Sequence, residues 1–332
     1  MNGGWAAAVA DATARLGSSA TVGAPLGART TYRVGGPAAV GVEPRDEDEL
    51  LAVARVLRST SLPVLVVGRG SNLLVSDAGF PGIAVFIADG FTAIDIEGTN
   101  VVAGGGASLP VVSRKAASAG LVGLEWAVGV PGSVGGAVRM NAGGHGSDMA
   151  ASLGRVRVVD LRSATARWIP PTELALAYRS SSIAWTDVVV AAQLRCAPGD
   201  RVEAEARISE IVRWRRAHQP GGQNAGSVFT NPAGDHAGRL VDAAGARGLR
   251  LGTAEVSPKH ANFIQADEGG SAEDVKALVD EVRRRVAAHS GVTLHSEIRL
   301  IGFPDTYPHS MVPGSDAVNA GPDPMDLGPD GG

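Results

Sequence analysis

The sequence predicts an α/β protein of two domains, and three observations carry that reading. Its 332 residues exceed what a single hydrophobic core usually organises. Between Ala39 and Cys196 short apolar runs alternate with helical segments, the texture of an αβ layer. Near Gly199 that alternation gives way to two longer helices, which marks a second unit.

Residues 5–17 show weak helical periodicity, and GARTTYRVGGPA leads into the first strand. RDEDELLAVARVLRST sets acids before a stripe of Leu50, Ala54 and Leu57, a helix whose first turn complements its own dipole. LPVLVVG reads as a buried strand, and GIAVFIA and NVVAGGGA as further ones. SLPVVSRKAASAG is a helix with Ser108 as N-cap, Pro110 in the first turn and Gly120 closing it. RVRVVDL, TARWI and DVVVAAQLRC are short strands. Beyond Gly199, DRVEAEARISEIVRWRRAHQP is helical up to its Gln-Pro stop. SAEDVKALVDEVRRRVAAHSG aligns Val275, Leu278, Val279, Val282 and Val286 on one face, with Ser271 capping it and Gly291 ending it. Arg283, Arg284 and Arg285 fit either a cationic last turn or an anion patch. From Pro304 onward periodic apolar residues nearly vanish, and the segment reads as a disordered tail without catalytic role.

Composition excludes several functions. With 44% hydrophobic and 19% charged residues the chain has the profile of a soluble globular protein. A net charge of −4 argues against nucleic acid as the main partner, because phosphate binding calls for a clustered basic excess. The single cysteine, Cys196, rules out an internal disulfide and any multi-cysteine metal site, so a reducing cytoplasm fits best and Cys196 reads as a small buried hydrophobe. No basic leader and no apolar run of spanning length appear, so neither export nor membrane insertion is expected, and no metal is implied.

Two glycine-rich stretches carry the chemistry. Gly68, Arg69, Gly70, Ser71 and Asn72 follow an apolar strand directly, where converging backbone N–H groups and a guanidinium suit an anion. The same turn is also an ordinary tight strand connection. The dinucleotide pattern G-x-G-x-x-G fails at Leu73, and no G-x-x-x-x-G-K-[ST] occurs. The second stretch, GLEWAVGVPGSVGGAVRMNAGGHGSDM, is too rich in glycine for a core element unless backbone must approach something flat or bulky. Two such loops suit the two halves of a long ligand, of which a flavin dinucleotide is one.

Seven blocks in order, TTYRVGGPA, VVGRGSNLLVSDAGFPG, GLEWAVGVPGSVGGAVRMNAG, AYRSSS, NAGSVFTNP, AGRLVDAAGARGLRLGTAEVSPKHANFIQ and LHSEIRLIG, resemble the UDP-N-acetylenolpyruvoylglucosamine reductase (MurB) family. The likeness runs from about Thr30 to Gly302. It implies an N-terminal segment over 1–27 and a flavin-binding α+β domain of the vanillyl-alcohol-oxidase (PCMH) type over 28–198. A smaller α/β substrate-binding domain follows over 199–303, then the tail over 304–332. It also implies a cytoplasmic monomer with non-covalent FAD, NADPH as hydride donor and UDP-N-acetylglucosamine enolpyruvate as substrate. With tyrosine only at 32, 178 and 307, the chain looks like the family's shorter type, which lacks a tyrosine-bearing loop.

The resemblance assigns roles residue by residue. Gly68, Arg69, Gly70, Ser71, Asn72, Pro131, Gly132, Ser133, Gly135, Gly136 and Asn141 would hold the cofactor. Ser227 would protonate the substrate carbon next to the one that receives hydride, a role that requires a very basic intermediate held against the hydroxyl. Arg179 would grip the carboxylate as enolate charge builds, a kind of donor whose loss typically costs about 2.7–4 kcal/mol in the transition state. Glu297 would act protonated, which predicts a raised pKa. Tyr178, Arg215, Asn231 and Lys259 would contact the UDP-sugar or the NADPH phosphate. Thr230 stands where many relatives have lysine, with Arg216 as a substitute, and His260 fits either a ligand contact or a hydrogen-bonded histidine, the second being preferred. Two rivals remain at this stage: another flavin oxidase of the same fold, and a catalytically silent UDP-sugar-binding homologue.

Overall fold

The computed structural model describes residues 3–60 and 62–304. Apart from Pro304, the expected tail lies outside the described residues.

The first sheet runs Ala20–Ala24, Ala38–Val42, Phe80–Phe86, Val64–Val67, with its first pair antiparallel and the other two pairs parallel. Parallel strands need cover on both faces, and alternate residues here enter different cores. Val64, Ile83 and Val85 pack with the helix Glu47–Leu57 on one side, while Leu65, Val67, Ala84 and Phe86 pack in a second cluster on the other. Asp46 starts that helix by accepting a hydrogen bond from Glu49 N at 2.8 Å, and its apolar stripe of Leu50, Val53, Ala54 and Leu57 is buried.

The second sheet is wholly antiparallel, in the order Thr165–Ile169, Leu153–Asp160, Asp187–Arg195, Asn100–Gly104, Ile94–Glu97. One face carries Val101, Val156 and Leu194 against the helix Leu109–Ser118 and the short helix Val134–Arg139. The other face sends Val159, Val188 and Val190 into the core shared with Glu47–Leu57, so one helix joins the two sheets.

The C-terminal unit sets the helices Ala237–Ala243 and Ala272–Ser290 against a small antiparallel sheet of Arg250–Leu251, Ala254–Val256 and Ile264–Ala266. The predicted face of Val275, Leu278, Val279, Val282 and Val286 is buried there, with Ser271 Oγ capping its start and Gly291 left-handed at its end. Two segments cross between the units. Helix Arg201–His218 packs Ala204, Ile208 and Ile211 against Ala117 and Val128 of the first unit. The strand Arg299–Ile301 returns to lie parallel to Leu73–Val75, and Tyr32, Val34 and Leu74 join the C-terminal core. A reciprocal cap fastens the same junction: Asp77 accepts from Ser271 Oγ and Ala272 N, and Glu273 accepts from Ser76 Oγ and Asp77 N.

Three local expectations change. Ser108 precedes its helix as expected but makes no side-chain cap, because its backbone bridges to Ser133 instead. Neither reading of Arg283, Arg284 and Arg285 stands: Arg284 and Arg285 both pair with Glu281, Arg283 bonds Leu294 O, and the last turn carries His289. The strands Ala20–Ala24 and Ile94–Glu97 went unread, since both are short, lie at sheet edges and carry mostly exposed residues, so neither presents a buried apolar run.

Leu74 is fully buried where the two units share a strand pair. Leu74→Ala is expected to cost about 2–5 kcal/mol of stability, read as a lower unfolding midpoint in urea.

Candidate active site

The two glycine stretches interlock. Gly70 has φ +62°, and a Cβ there would fall 2.6 Å from Arg29 O. A Cβ on Gly68 would meet Ser133 Oγ at 2.3 Å, and Ser71 Oγ donates to Pro131 O at 3.4 Å. No side chain fits at Gly68 or Gly70. Among the described residues, no backbone carbonyl takes up the N–H groups of Arg69, Gly70 or Ser71, while Gly135 N already donates to Gly105 O and Gly136 N to Ser133 Oγ. The first loop therefore holds open donors for an anion, joined by the N–H groups of Gly132 and Ser133 in the second, which likewise meet no acceptor among the described residues. Thr31 Oγ1 is buried beside them without a partner, a further group that a polar ligand would satisfy.

These loops form one wall of a cavity of about 480 Å³. Gly68, Arg69, Gly70, Ser71 and Asn72 line it, as do Pro131, Gly132, Ser133, Gly135 and Gly136, together with Arg179, Arg215, Ser227 and Glu297. Four predicted site residues do not. Asn141 is buried behind the wall: its amide donates to Ala177 O at 2.9 Å and accepts from Ala150 N, so it supports the turn that carries Arg179. Tyr178 is 60% exposed, with the Arg179 guanidinium 5.1 Å from its ring centroid. Asn231 Oδ1 accepts from Ala237 N and caps a helix, and Lys259 Nζ donates to Arg216 O at 2.5 Å. His260 accepts from Asn262 N through Nδ1 and packs edge-on to Phe263, as a hydrogen-bonded histidine would.

Three distant segments bring Arg179, Ser227 and Glu297 to one place. Glu297 N donates to Val228 O at 2.7 Å, and Asn72 Nδ2 donates to Glu297 O at 3.0 Å. Asn262 fixes the strand after Ser227, its Oδ1 accepting from Phe229 N and its Nδ2 donating to Phe229 O at 2.8 Å. Gly226, at φ +78°, turns the chain just before the serine, and Ser227 Oγ makes no hydrogen bond of its own among the described residues. Arg179 is left-handed at φ 55°, in a turn closed by Ala177 and Ser180. Its Nε lies 2.7 Å from Glu297 Oε1, yet that N–H finds no aligned acceptor, so the contact is a charge pair and not a directed hydrogen bond. Glu297 is only 16% exposed, and burial raises its pKa more than the charges of Arg179 and Arg299 lower it.

Sequence reasoning missed Arg139, Thr31 and Trp185, which also line the cavity. Arg139 sat inside the quoted block as RMNAG, and a lone cation at the end of a glycine run was the signal.

Residues 37–168 match the "FAD binding domain" family, and 218–301 match "UDP-N-acetylenolpyruvoylglucosamine reductase, C-terminal domain". The UDP-N-acetylenolpyruvoylglucosamine reductase of Paramagnetospirillum magneticum is 44% identical over 84% of this chain and 91% of its own. That of Granulibacter bethesdensis is 42% identical over 90% and 96%. The chain belongs to the UDP-N-acetylenolpyruvoylglucosamine reductase family. The crystal structure of the MurB enzyme from Thermus caldophilus is 36% identical and superposes with a TM-score of 0.73, over 85% of this chain and 98% of that one. The protein is therefore an oxidoreductase with the expected fold, an FAD-binding domain followed by a smaller α/β domain. The donors at Arg69–Ser71 and the orphaned Thr31 hydroxyl fit such a dinucleotide. Among the described residues no helix is long and apolar enough to cross a membrane.

Asn262→Leu would leave the buried N–H and C=O of Phe229 without partners. A loss of about 1–3 kcal/mol per group is expected, measured as a lowered unfolding midpoint.

Proposed function

We propose that this protein reduces UDP-N-acetylglucosamine enolpyruvate to UDP-N-acetylmuramate, a step of peptidoglycan precursor synthesis. The observation that carries the reading is the convergence of Arg179, Ser227 and Glu297 on one cavity walled by the two glycine loops. Held by the open donors at Arg69–Ser71 and by Thr31, FAD would supply hydride transfer from NADPH to the vinyl carbon of the substrate. The residues of this chain then manage charge and proton.

Arg179 binds the substrate carboxylate and stabilises the enolate that forms there, an interaction that strengthens as charge accumulates. The left-handed backbone at Arg179, closed by the Ala177 and Ser180 turn and braced by Asn141, pre-positions the guanidinium at a site where strain is worth holding. Ser227 gives its proton to the adjacent carbon. Having no partner of its own, its hydroxyl is free to point at that carbon, and the very basic enolate supplies the driving force. Glu297 works in its protonated form. An ionised Glu297 competes with the substrate carboxylate for Arg179, whereas a protonated one releases the guanidinium and does not repel the enolate. Arg215, half-buried at the cavity wall with its pKa lowered by that burial, is placed to meet a phosphate of NADPH or the UDP-sugar.

Two outcomes test the scheme. Mixed anaerobically with NADPH, the Ser227→Ala protein is expected to bleach its flavin at the normal rate, while recovery with the enolpyruvyl sugar slows by orders of magnitude. Loss of both half-reactions together would make Ser227 structural, and recovery by oxygen alone in the unmutated protein would support an oxidase. The second outcome concerns pH. Burial keeps the proton on Glu297 to higher pH than on a free glutamate, so activity is full below that raised pKa and falls as pH rises through it. In the pH profile of kcat/KM, Glu297→Gln is expected to lose this descending limb.

A further inference from the structure

Arg139 is a cation that the charge of Asp187 answers only at a distance. It closes the short helix Val134–Arg139, lines the cavity, and forms no ion pair among the described residues. One guanidinium N–H donates to the carbonyl of Ile183, and the guanidinium carbon lies 4.4 Å from the Trp185 ring centroid. Both contacts orient the group without neutralising it. Burial, followed by the charge of Arg299, pushes its pKa down to about 10, while Asp187 acts the other way but burial raises the pKa of Asp187 itself. It remains charged at neutral pH. An unpaired cation withdrawn from water is costly unless something else answers it, and the remaining free side is the cavity.

Three anions could enter that cavity under the reading given above: the dinucleotide's phosphates, the substrate's carboxylate, and negative charge on the flavin ring once it is reduced. The phosphates belong to the open donors at Arg69–Ser71, which abut Ser133 at the opposite end of the helix from Arg139. Six helical residues separate those ends by roughly 9 Å. The carboxylate belongs to Arg179. What remains is the ring. We propose that Arg139 is the positioned charge that stabilises the reduced flavin as an anion, and so sets the potential at which this protein holds its electrons. The proposal rests on the cavity holding FAD. Protein charges near the flavin ring are a general means of tuning its electronics. The Arg139 carbonyl also accepts from Ser181 Oγ at 2.6 Å, so this residue and the substrate-binding turn are held together.

The test is redox titration of the flavin-loaded protein across pH 6–8. A two-electron reduction that takes up one proton shifts the midpoint by about 30 mV per pH unit, since each proton is a tenfold factor in the equilibrium, and uptake of two protons doubles that slope. Unmutated protein is expected to follow the one-proton slope. Arg139→Gln and Arg139→Met are expected to bind the reduced form at least tenfold less tightly relative to the oxidised one, a fall of about 30 mV or more, and to steepen toward the two-proton slope. Arg139→Lys, which keeps the charge, is expected to retain the slope of the unmutated protein. An unchanged potential and slope in the neutral variants, with a raised KM for the enolpyruvyl sugar, would give Arg139 to the substrate and overturn the proposal. Loss of oxidised flavin from the neutral variants alone would give it to the phosphates, and loss from all three would make it a structural tie to Ile183; either overturns it. Unmutated protein that takes up no FAD would instead defeat the functional reading on which the proposal stands.

Discussion

The peptide of Glu297 is held from both sides. Its N–H reaches the carbonyl that follows Ser227, and its carbonyl takes the amide of Asn72 at the end of the glycine loop. Two residues on, Arg299 N donates to Asn72 O and starts the parallel pairing with Leu73–Val75. Three stretches, the outermost 225 residues apart, thus share one hydrogen-bonded seam. A displacement of any of them would move the carboxyl, the hydroxyl and the loop relative to one another, and geometric tolerance in such sites is of the order of 1 Å. The crossing strand therefore does more than close the fold: it makes the mutual position of the loop and the two reactive side chains a property of the backbone.

Electrostatics follow from where that seam lies. Glu297, Arg139 and Asp187 all sit in a region shielded from water, where burial favours the neutral form of each. Glu297 and Arg179 partly answer one another, but the N–H of Arg179 is not aligned on its partner, so the pair is available for exchange when a stronger anion arrives. Over residues 68–72 and 131–136 the glycine loops add no formal charge except Arg69. They contribute open N–H donors and a shape that any side chain would fill, as at Gly68 against Ser133 and at Gly70 against the backbone of Arg29.

Much of the fold was legible in the chain because local physics dictates it. The apolar stripe from Val275 to Val286, the cap at Ser271 and the αL glycine at 291 belong to one helix and need no partner to be read. Strands such as Phe80–Phe86 and Asp187–Arg195 announce themselves by buried β-branched runs. Edge strands such as Ile94–Glu97 do not, since three of their four residues face water. The residues that line the cavity were legible mostly through the family blocks. Asn141, Asn231 and Lys259 lie in those blocks too, yet their polar atoms are spent on Ala177, Ala237 and Arg216, a distinction invisible without coordinates.

By itself the sequence determined the element types, the two-unit organisation and the presence of glycine loops with a serine, an arginine and a glutamate in recognisable surroundings. Periodicity, capping and glycine density are short-range properties, written within a dozen residues. Only the tertiary structure decided that Arg299–Ile301 pairs with Leu73–Val75, that Asn72 grips Glu297, and that Arg139 stands in the cavity wall with no ion pair among the described residues. Those are contacts between residues far apart in the chain, where register and burial arise from packing the whole core and not from any local preference.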